Sequence, residues 1–212
     1  MCWNAAVSLN TFLFSSFALL LIIYNNSFTK YKIKELNNKW IYIFFVSFIL
    51  MQLIEFFIWR NINNKYYNNL FSILAISLLV IQPIASIMII KTTTMRNGLL
   101  FVYLLLAIPY SIYQFSTKKI HTIVSKNGYL DWYFFNNSFL VLFIWFFCVF
   151  FSSIYEKIWS LVIFSIIALI ICFIKYRYSA GSMWCWAINS IMIYYITYLL
   201  IFLPFLEKMQ IC

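Results

Sequence analysis

Three side chains that form hydrogen bonds or exchange a proton share one face of a continuous apolar segment. Glu55 follows Gln52 by three residues and precedes Trp59 by four. Positions three or four apart lie on the same face of an α-helix. A carboxyl group beside an amide binds polar ligands or acts as a general acid or base, so this face is the first candidate site.

Other apolar segments carry isolated amides. If successive segments cross a membrane in opposite directions, Asn10, Asn136 and Asn189 reach about the same depth as that carboxyl group, roughly one to two helical turns inside one interface. Gln82 precedes Pro83, which removes a helical N–H and frees a carbonyl group, and we expect this pair to form the floor of a polar pocket. The predicted residues for a small polar ligand are Glu55, Gln52, Asn10, Gln82, Asn189 and Trp59.

The same side chains have a structural interpretation. Asn, Gln and Glu also join helices within membranes through hydrogen bonds worth about 1 kcal/mol each. A protonated Glu55 bonded to a neighbouring amide then needs no ligand. A third interpretation is an enzyme that acts on lipid, with Glu55 or His121 as acid or base, because His121 and Asp131 lie at the longest polar connection.

Residue counts exclude several kinds of site. His121 is the sole histidine and no cysteine pair has Cys-x-x-Cys spacing, so we expect no metal. No lysine lies between Lys175 and Lys208, which removes the Schiff base of seven-helix retinal proteins. P-loop, Rossmann and Gly-x-Ser-x-Gly patterns are absent, so we expect no cofactor. A disulfide between Cys2 and Cys185 is an option if their side of the membrane is oxidising.

A membrane must position these residues, because the composition is not that of a water-soluble protein. Of the 212 residues, 65% are apolar and 9% are charged, and the mean hydropathy is +0.91. Apolar runs recur that are long enough to cross a hydrocarbon layer about 30 Å thick as helices. Since these runs lack the alternation of a β-barrel, the predicted fold class is all-α, a bundle of seven transmembrane helices.

The seven spans form one predicted integral membrane domain, residues 1–212. Their approximate bounds are 5–24, 40–59, 70–90, 99–115, 131–151, 158–174 and 183–205. Lysines concentrate directly after the first span and are absent before it, which favours an outside N-terminus and an inside C-terminus. The net charge of +10 lies mainly in the connections, so the expected partner is the lipid bilayer and not nucleic acid.

Four short motifs stand out: the Met-Cys-Trp-Asn start, Gln52-x-x-Glu55-Phe-Phe-x-Trp59, Gln82-Pro83 and Gly181-Ser-Met-Trp-Cys-Trp186. Together they resemble an uncharacterised seven-pass membrane protein family of large DNA viruses and protists. The resemblance implies the topology and no activity. Three functions stay open: binding or transport of a small polar ligand, an enzyme acting on lipid, and a structural partner in a membrane assembly.

Overall fold

Helices make up nearly all of the computed structural model, which describes residues 4–117, 120–132, 139–176 and 179–211. The α-helices are α1 (Ala5–Phe28), α2 (Lys39–Arg60), α3 (Lys65–Ile87), α4 (Thr93–Thr117), α5 (Phe139–Tyr155), α6 (Trp159–Tyr176), α7 (Ala180–Asn189), α8 (Ile191–Thr197) and α9 (Leu203–Ile211). A 3₁₀ turn covers Lys34–Leu36 and a π-helical segment covers Tyr198–Phe202. Strands β1 (Thr122–Val124) and β2 (Leu130–Trp132) form an antiparallel hairpin in which Ile123 faces Asp131. The all-α prediction is confirmed.

Six helical stretches in the described part are long and apolar enough to cross a membrane. They are Ala5–Phe28, Lys39–Arg60, Lys65–Ile87, Thr93–Thr117, Trp159–Tyr176 and Ala180–Glu207. Each overlaps one predicted span. Helix α5 is shorter, at 17 residues. The predicted span 131–151 is wrong at its start, because Asp131 lies in β2 and the described helix begins at Phe139.

Asparagines begin three of the long helices. The side-chain oxygens of Asn4, Asn38 and Asn64 each accept a hydrogen bond from a backbone N–H two or three residues later. The first turn of a helix has N–H groups without helical acceptors, and an asparagine at this position supplies one. These caps fix where α1, α2 and α3 start.

Helix α2 lies in the middle of the bundle and packs against α1, α3 and α7. The buried ring of Phe44 contacts those of Phe45 and Phe48, and Phe48 meets Trp184 of α7 edge to face. Edge-to-face packing is a favourable geometry for aromatic rings. The buried polar residues of this helix, Ser47, Gln52 and Glu55, therefore lie within a closely packed part of the bundle.

Pro83 in α3 has the predicted effect on the backbone. It has no N–H, so the carbonyl of Leu79 one turn earlier loses its helical donor. The indole Nε1 of Trp145, from α5, donates to this carbonyl oxygen at 2.7 Å. Two further side-chain bonds hold neighbouring helices to this part of α3: Tyr103 donates to the Val80 carbonyl at 2.8 Å, and Ser86 donates to the Val149 carbonyl at 2.9 Å.

Candidate functional site

Glu55 is completely buried and joins α2 to α7. One carboxylate oxygen, Oε2, accepts a hydrogen bond from Gln52 Nε2 at 3.0 Å, and Oε1 accepts one from Ser182 Oγ at 2.8 Å. The predicted pairing of Gln52 with Glu55 is thus present. Ser182 was not among the predicted site residues, because one hydroxyl in a sequence carries no signal of its partner.

Asn189 makes a second polar contact between the same helices. Its Nδ2 donates to the Phe48 carbonyl at 3.2 Å and to the Cys185 carbonyl at 2.9 Å. Seven residues separate Phe48 from Glu55, and seven separate Ser182 from Asn189. Helices α2 and α7 therefore run antiparallel, with two polar contacts roughly 10 Å apart along the axis.

Two amide oxygens of this cluster are unused. Gln52 Oε1 and Asn189 Oδ1 are buried and have no hydrogen-bond partner among the described residues. A buried acceptor without a donor costs about 1–3 kcal/mol, so such atoms are usually satisfied by water or by a ligand. These polar residues between α2 and α7 are here called the Glu55 cluster (Gln52, Glu55, Ser182 and Asn189). Gln52 Oε1 belongs to the end of the cluster that holds the Glu55 carboxylate, whereas Asn189 Oδ1 lies at the second contact, roughly 10 Å away along the axis.

Helix α1 has a buried serine, and not Asn10, at the depth of the cluster. Trp186 Nε1 donates to Thr11 Oγ1 at 3.0 Å, which fixes α1 against α7. Ser8 lies one turn before Thr11 and Ser182 one turn before Trp186, so the two serines have similar depth. The hydroxyl of Ser8 is buried and unpartnered within the described residues, whereas Asn10 is exposed. The structure therefore does not bring Asn10 to Glu55.

Gln82 is also separate from the cluster. Asn38 Nδ2 donates to the Ile89 carbonyl at 3.0 Å, so the start of α2 lies beside the end of α3. From this contact Glu55 is 17 residues along α2, while Gln82 is 7 residues back along α3. The axial distance between them is roughly 15 Å, too far for Gln82 to be the floor of a pocket at Glu55. The Gln82 amide is buried and unpartnered among the residues described.

The β-hairpin covers the end of the bundle nearest Glu55. Leu130 is fully buried against Ile58, Trp59 and Trp186. Trp59 is half-buried there, and its indole N–H has no partner in the described part of the chain. Trp59, predicted to share a face with Glu55, thus lies under the hairpin.

Asn68 of α3 anchors this hairpin through its side chain. The amide donates to the Thr122 carbonyl at 2.9 Å and accepts from the Thr122 N–H at 2.9 Å. The Ser72 and Thr122 hydroxyls are 2.8 Å apart. The turn between the two strands contains the Asn127-Gly128 pair, and an Asn-Gly pair is a sequence signal for a tight hairpin turn. Gly128 has a φ of +78°, a backbone conformation that glycine adopts without strain.

The remaining predicted residues lie in or near the hairpin or outside the described residues. Asp131 is half-buried in β2, and burial raises the pKa of its carboxyl group. His121 directly precedes β1. Asn136 and Cys2 lie outside the described residues, and Cys185 is buried with a free thiol. Among the residues that are described, no three His, Cys, Asp or Glu side chains are grouped as metal ligands would be.

Comparison with known protein families, curated proteins and solved structures finds no match for this chain. The resemblance to a seven-pass viral and protist family therefore stays a prediction. Function has to be argued from the arrangement of residues.

Proposed function

We propose that the chain is an integral membrane protein that crosses the bilayer seven times. Six helical stretches have the necessary length and apolarity. The outward faces of α1, α4 and α6 carry large exposed apolar side chains, among them Phe17, Phe101 and Ile174. Soluble proteins rarely expose apolar surface so continuously, and the hydrocarbon of a bilayer is the medium that fits it.

Helix α5 is the crossing that is not among these six stretches, and contacts at its two ends support this. Before α5, Leu130 packs on Ile58 at the end of α2. After α5, Glu156 Oε1 accepts a hydrogen bond from the backbone N–H of Lys91 at 2.7 Å, in the turn that joins α3 to α4. The chain therefore passes from one end of the bundle to the other between these contacts. Its 17 residues span about 25 Å as a helix, somewhat less than the hydrocarbon thickness.

Within this bundle, the Glu55 cluster binds a small polar ligand that donates hydrogen bonds. The observation that carries this proposal is the fully buried Glu55 carboxylate beside the unused Gln52 Oε1. Acceptors predominate at this point, since the two carboxylate oxygens of Glu55 lie beside the amide oxygen of Gln52. Such a site suits an ammonium group better than an anion, because each N–H satisfies one oxygen.

The binding test uses purified protein in lipid nanodiscs with methylammonium as the probe and glycerol as an uncharged comparison. We expect methylammonium to raise the unfolding temperature of the wild type, since a ligand at 100 times its Kd stabilises a protein by about 2.7 kcal/mol. Glu55→Gln keeps a hydrogen-bonding side chain but loses the charge, so its response to methylammonium should disappear. Asn10→Ala is the matched control, because Asn10 is exposed on α1.

Two results contradict the binding proposal. One is a wild-type protein whose stability does not change with methylammonium, and the other is an equal response in Glu55→Gln. Both would leave the hydrogen bonds of Glu55 as a purely structural link between α2 and α7.

The topology has its own test in a variant without the native cysteines. Single cysteines at the exposed positions Asn63, Asn127 and Thr92 are labelled with a membrane-impermeant maleimide. We expect the first two to react from one side of sealed vesicles and the third from the other. Labelling of Asn63→Cys and Thr92→Cys from the same side would refute the proposed crossing of α3.

A further inference from the structure

A cavity of about 260 Å³ lies between α3, α4 and α5, apart from the Glu55 cluster. Leu79 from α3 and Trp145 from α5 form part of its wall, and α4 forms the opposite side. Cavities of about 150 Å³ lined by aliphatic and aromatic side chains stay dry and bind molecules as large as benzene. This cavity is therefore large enough for a longer apolar group.

One stripe of α4 faces the cavity. Tyr103, Ala107, Tyr110 and Gln114 line it and follow each other at three- or four-residue intervals, which puts them on one helical face. They cover roughly 16 Å along the helix axis. Among the α4 residues, Tyr103 and Gln114 are the buried ones. Helix α4 is thus held beside α3 with an elongated space between them.

The two ends of the space differ in polarity. Gln114 donates a hydrogen bond to the Tyr110 hydroxyl, and Ser111 lies beside them. These groups are within two turns of the end of α4 that leads to the hairpin, which is near the membrane interface in the proposed topology. At the other end the polar group on α4 is the Tyr103 hydroxyl, which donates to the Val80 carbonyl at 2.8 Å, so polar groups are fewer there.

The space opens sideways, towards the surroundings of the bundle. Leu106 in its wall is 46% exposed. Val141 and Leu142 of α5 are half-buried. A side opening of this kind faces bilayer hydrocarbon, so molecules can enter it from the membrane. Within the described part of the chain, the lining has no Lys, Arg, Asp or Glu, so the polar groups seen there are neutral hydroxyl and amide groups.

We propose that this cavity binds an uncharged acylglycerol from the bilayer, with its acyl chain against Leu79 and Trp145 and its hydroxyl or ester groups at Tyr110, Ser111 and Gln114. The acyl chain matches the long apolar wall, and the uncharged head matches neutral hydroxyl and amide groups at interface depth. The proposal rests on the proposed membrane insertion but does not depend on ligand binding at Glu55.

The test is photocrosslinking in nanodiscs with three lipids that carry the same diazirine-bearing acyl chain: diacylglycerol, phosphatidylcholine and phosphatidic acid. We expect diacylglycerol to label α4 and α5 at least about fivefold more than the phospholipids, which corresponds to about 1 kcal/mol of preference. Unlabelled diacylglycerol should compete, whereas added phosphatidylcholine should not. Equal labelling by the three lipids would show ordinary bilayer lipid against the helix and overturn the proposal.

Two substitutions locate the binding. Ala107→Trp fills the space and should abolish the excess labelling by diacylglycerol, while Gln114→Leu should reduce the preference over the phospholipids. Ile163→Trp is the matched control, since Ile163 is exposed on α6 and away from the cavity. Ala107→Trp should keep the methylammonium response, which separates failure here from failure at Glu55. Unchanged labelling in Ala107→Trp would overturn the proposal.

Discussion

Replacing Trp145 with phenylalanine tests how the bundle compensates for the proline in α3. Pro83 cannot donate to the Leu79 carbonyl, and the Trp145 indole does so instead at 2.7 Å. Trp145 is 8% exposed and packs edge to face with Trp184 and Phe146. Phenylalanine keeps an aromatic ring in these contacts but removes the N–H donor.

The expected loss of stability combines two effects. An acceptor left buried without a donor costs about 1–3 kcal/mol in soluble proteins, while hydrogen bonds measured inside membrane bundles average about 0.6 and reach about 1.7 kcal/mol. The smaller ring also leaves a void. We therefore expect Trp145→Phe to lower the free energy of unfolding by about 1–2 kcal/mol.

A second substitution, Pro83→Ala, separates the energetic cost of the lost hydrogen bond from the cost of the void. The new N–H at position 83 donates to the Leu79 carbonyl within the helix, so the indole is no longer needed there. In this background Trp145→Phe should cost about 1 kcal/mol less than in the wild type. This difference is the coupling energy of a double-mutant cycle. It measures the competition between the indole N–H and the N–H of residue 83 for the Leu79 carbonyl.

The assay is reversible unfolding in mixed micelles, followed by circular dichroism, for the wild type, both single variants and the double variant. Trp159→Phe is the control, because Trp159 is 51% exposed and its replacement should change stability by less than about 0.5 kcal/mol. If the two substitutions are additive within about 0.3 kcal/mol, the reasoning is refuted. The cost of losing the indole N–H would then not depend on whether residue 83 donates to the Leu79 carbonyl.

Two further predictions concern the hairpin and are measured by amide hydrogen exchange. Asn68→Ala removes both side-chain bonds to Thr122, so exchange in β1 and β2 should rise on the order of tenfold, and unchanged protection would show that Asn68 is not the anchor. Burial raises the pKa of Asp131, so the folded hairpin binds a proton more tightly than the unfolded chain and loses stability as the pH rises through that raised pKa. Exchange in β2, corrected for its intrinsic pH dependence, should therefore increase in the wild type as the pH rises above about 4, the ordinary pKa of an aspartate, and stay constant in Asp131→Asn. Equal profiles would contradict the proposed burial effect.

The long helices were predictable because each is one long apolar run in the sequence. The predicted span 40–59 became Lys39–Arg60, and 158–174 became Trp159–Tyr176. The prediction failed at Asp131, where the strand and the helix behind it form one continuous aromatic-rich stretch in the sequence. Hydropathy does not distinguish a buried strand from the start of a span, and the Asn127-Gly128 turn was the available local signal.

The polar cluster was predictable only where the signal was local. Gln52 and Glu55 are three residues apart on one helix, so their pairing follows from helical geometry. Ser182 donates to Glu55 across 127 positions, and that contact depends on how two helices are rotated and staggered against each other. The sequence determines neither the rotation nor the stagger, and the stagger is why Gln82 was placed with the cluster although it lies roughly 15 Å away along the axis.

Small residues, and not polar ones, carry the missing information about rotation. Helices in lipid can be apolar on every side, so an apolar face does not mark the core, whereas close helix packing favours small side chains. On α1 the small buried residues Ser8, Ser15 and Ala18 follow each other at seven- and three-residue intervals along one face. That face excludes Asn10, which is two positions from Ser8 and therefore about 200° away around the helix. Alignment of the small residues therefore predicts Ser8 on the buried face of α1 and Asn10 on the exposed face, as the structure has them.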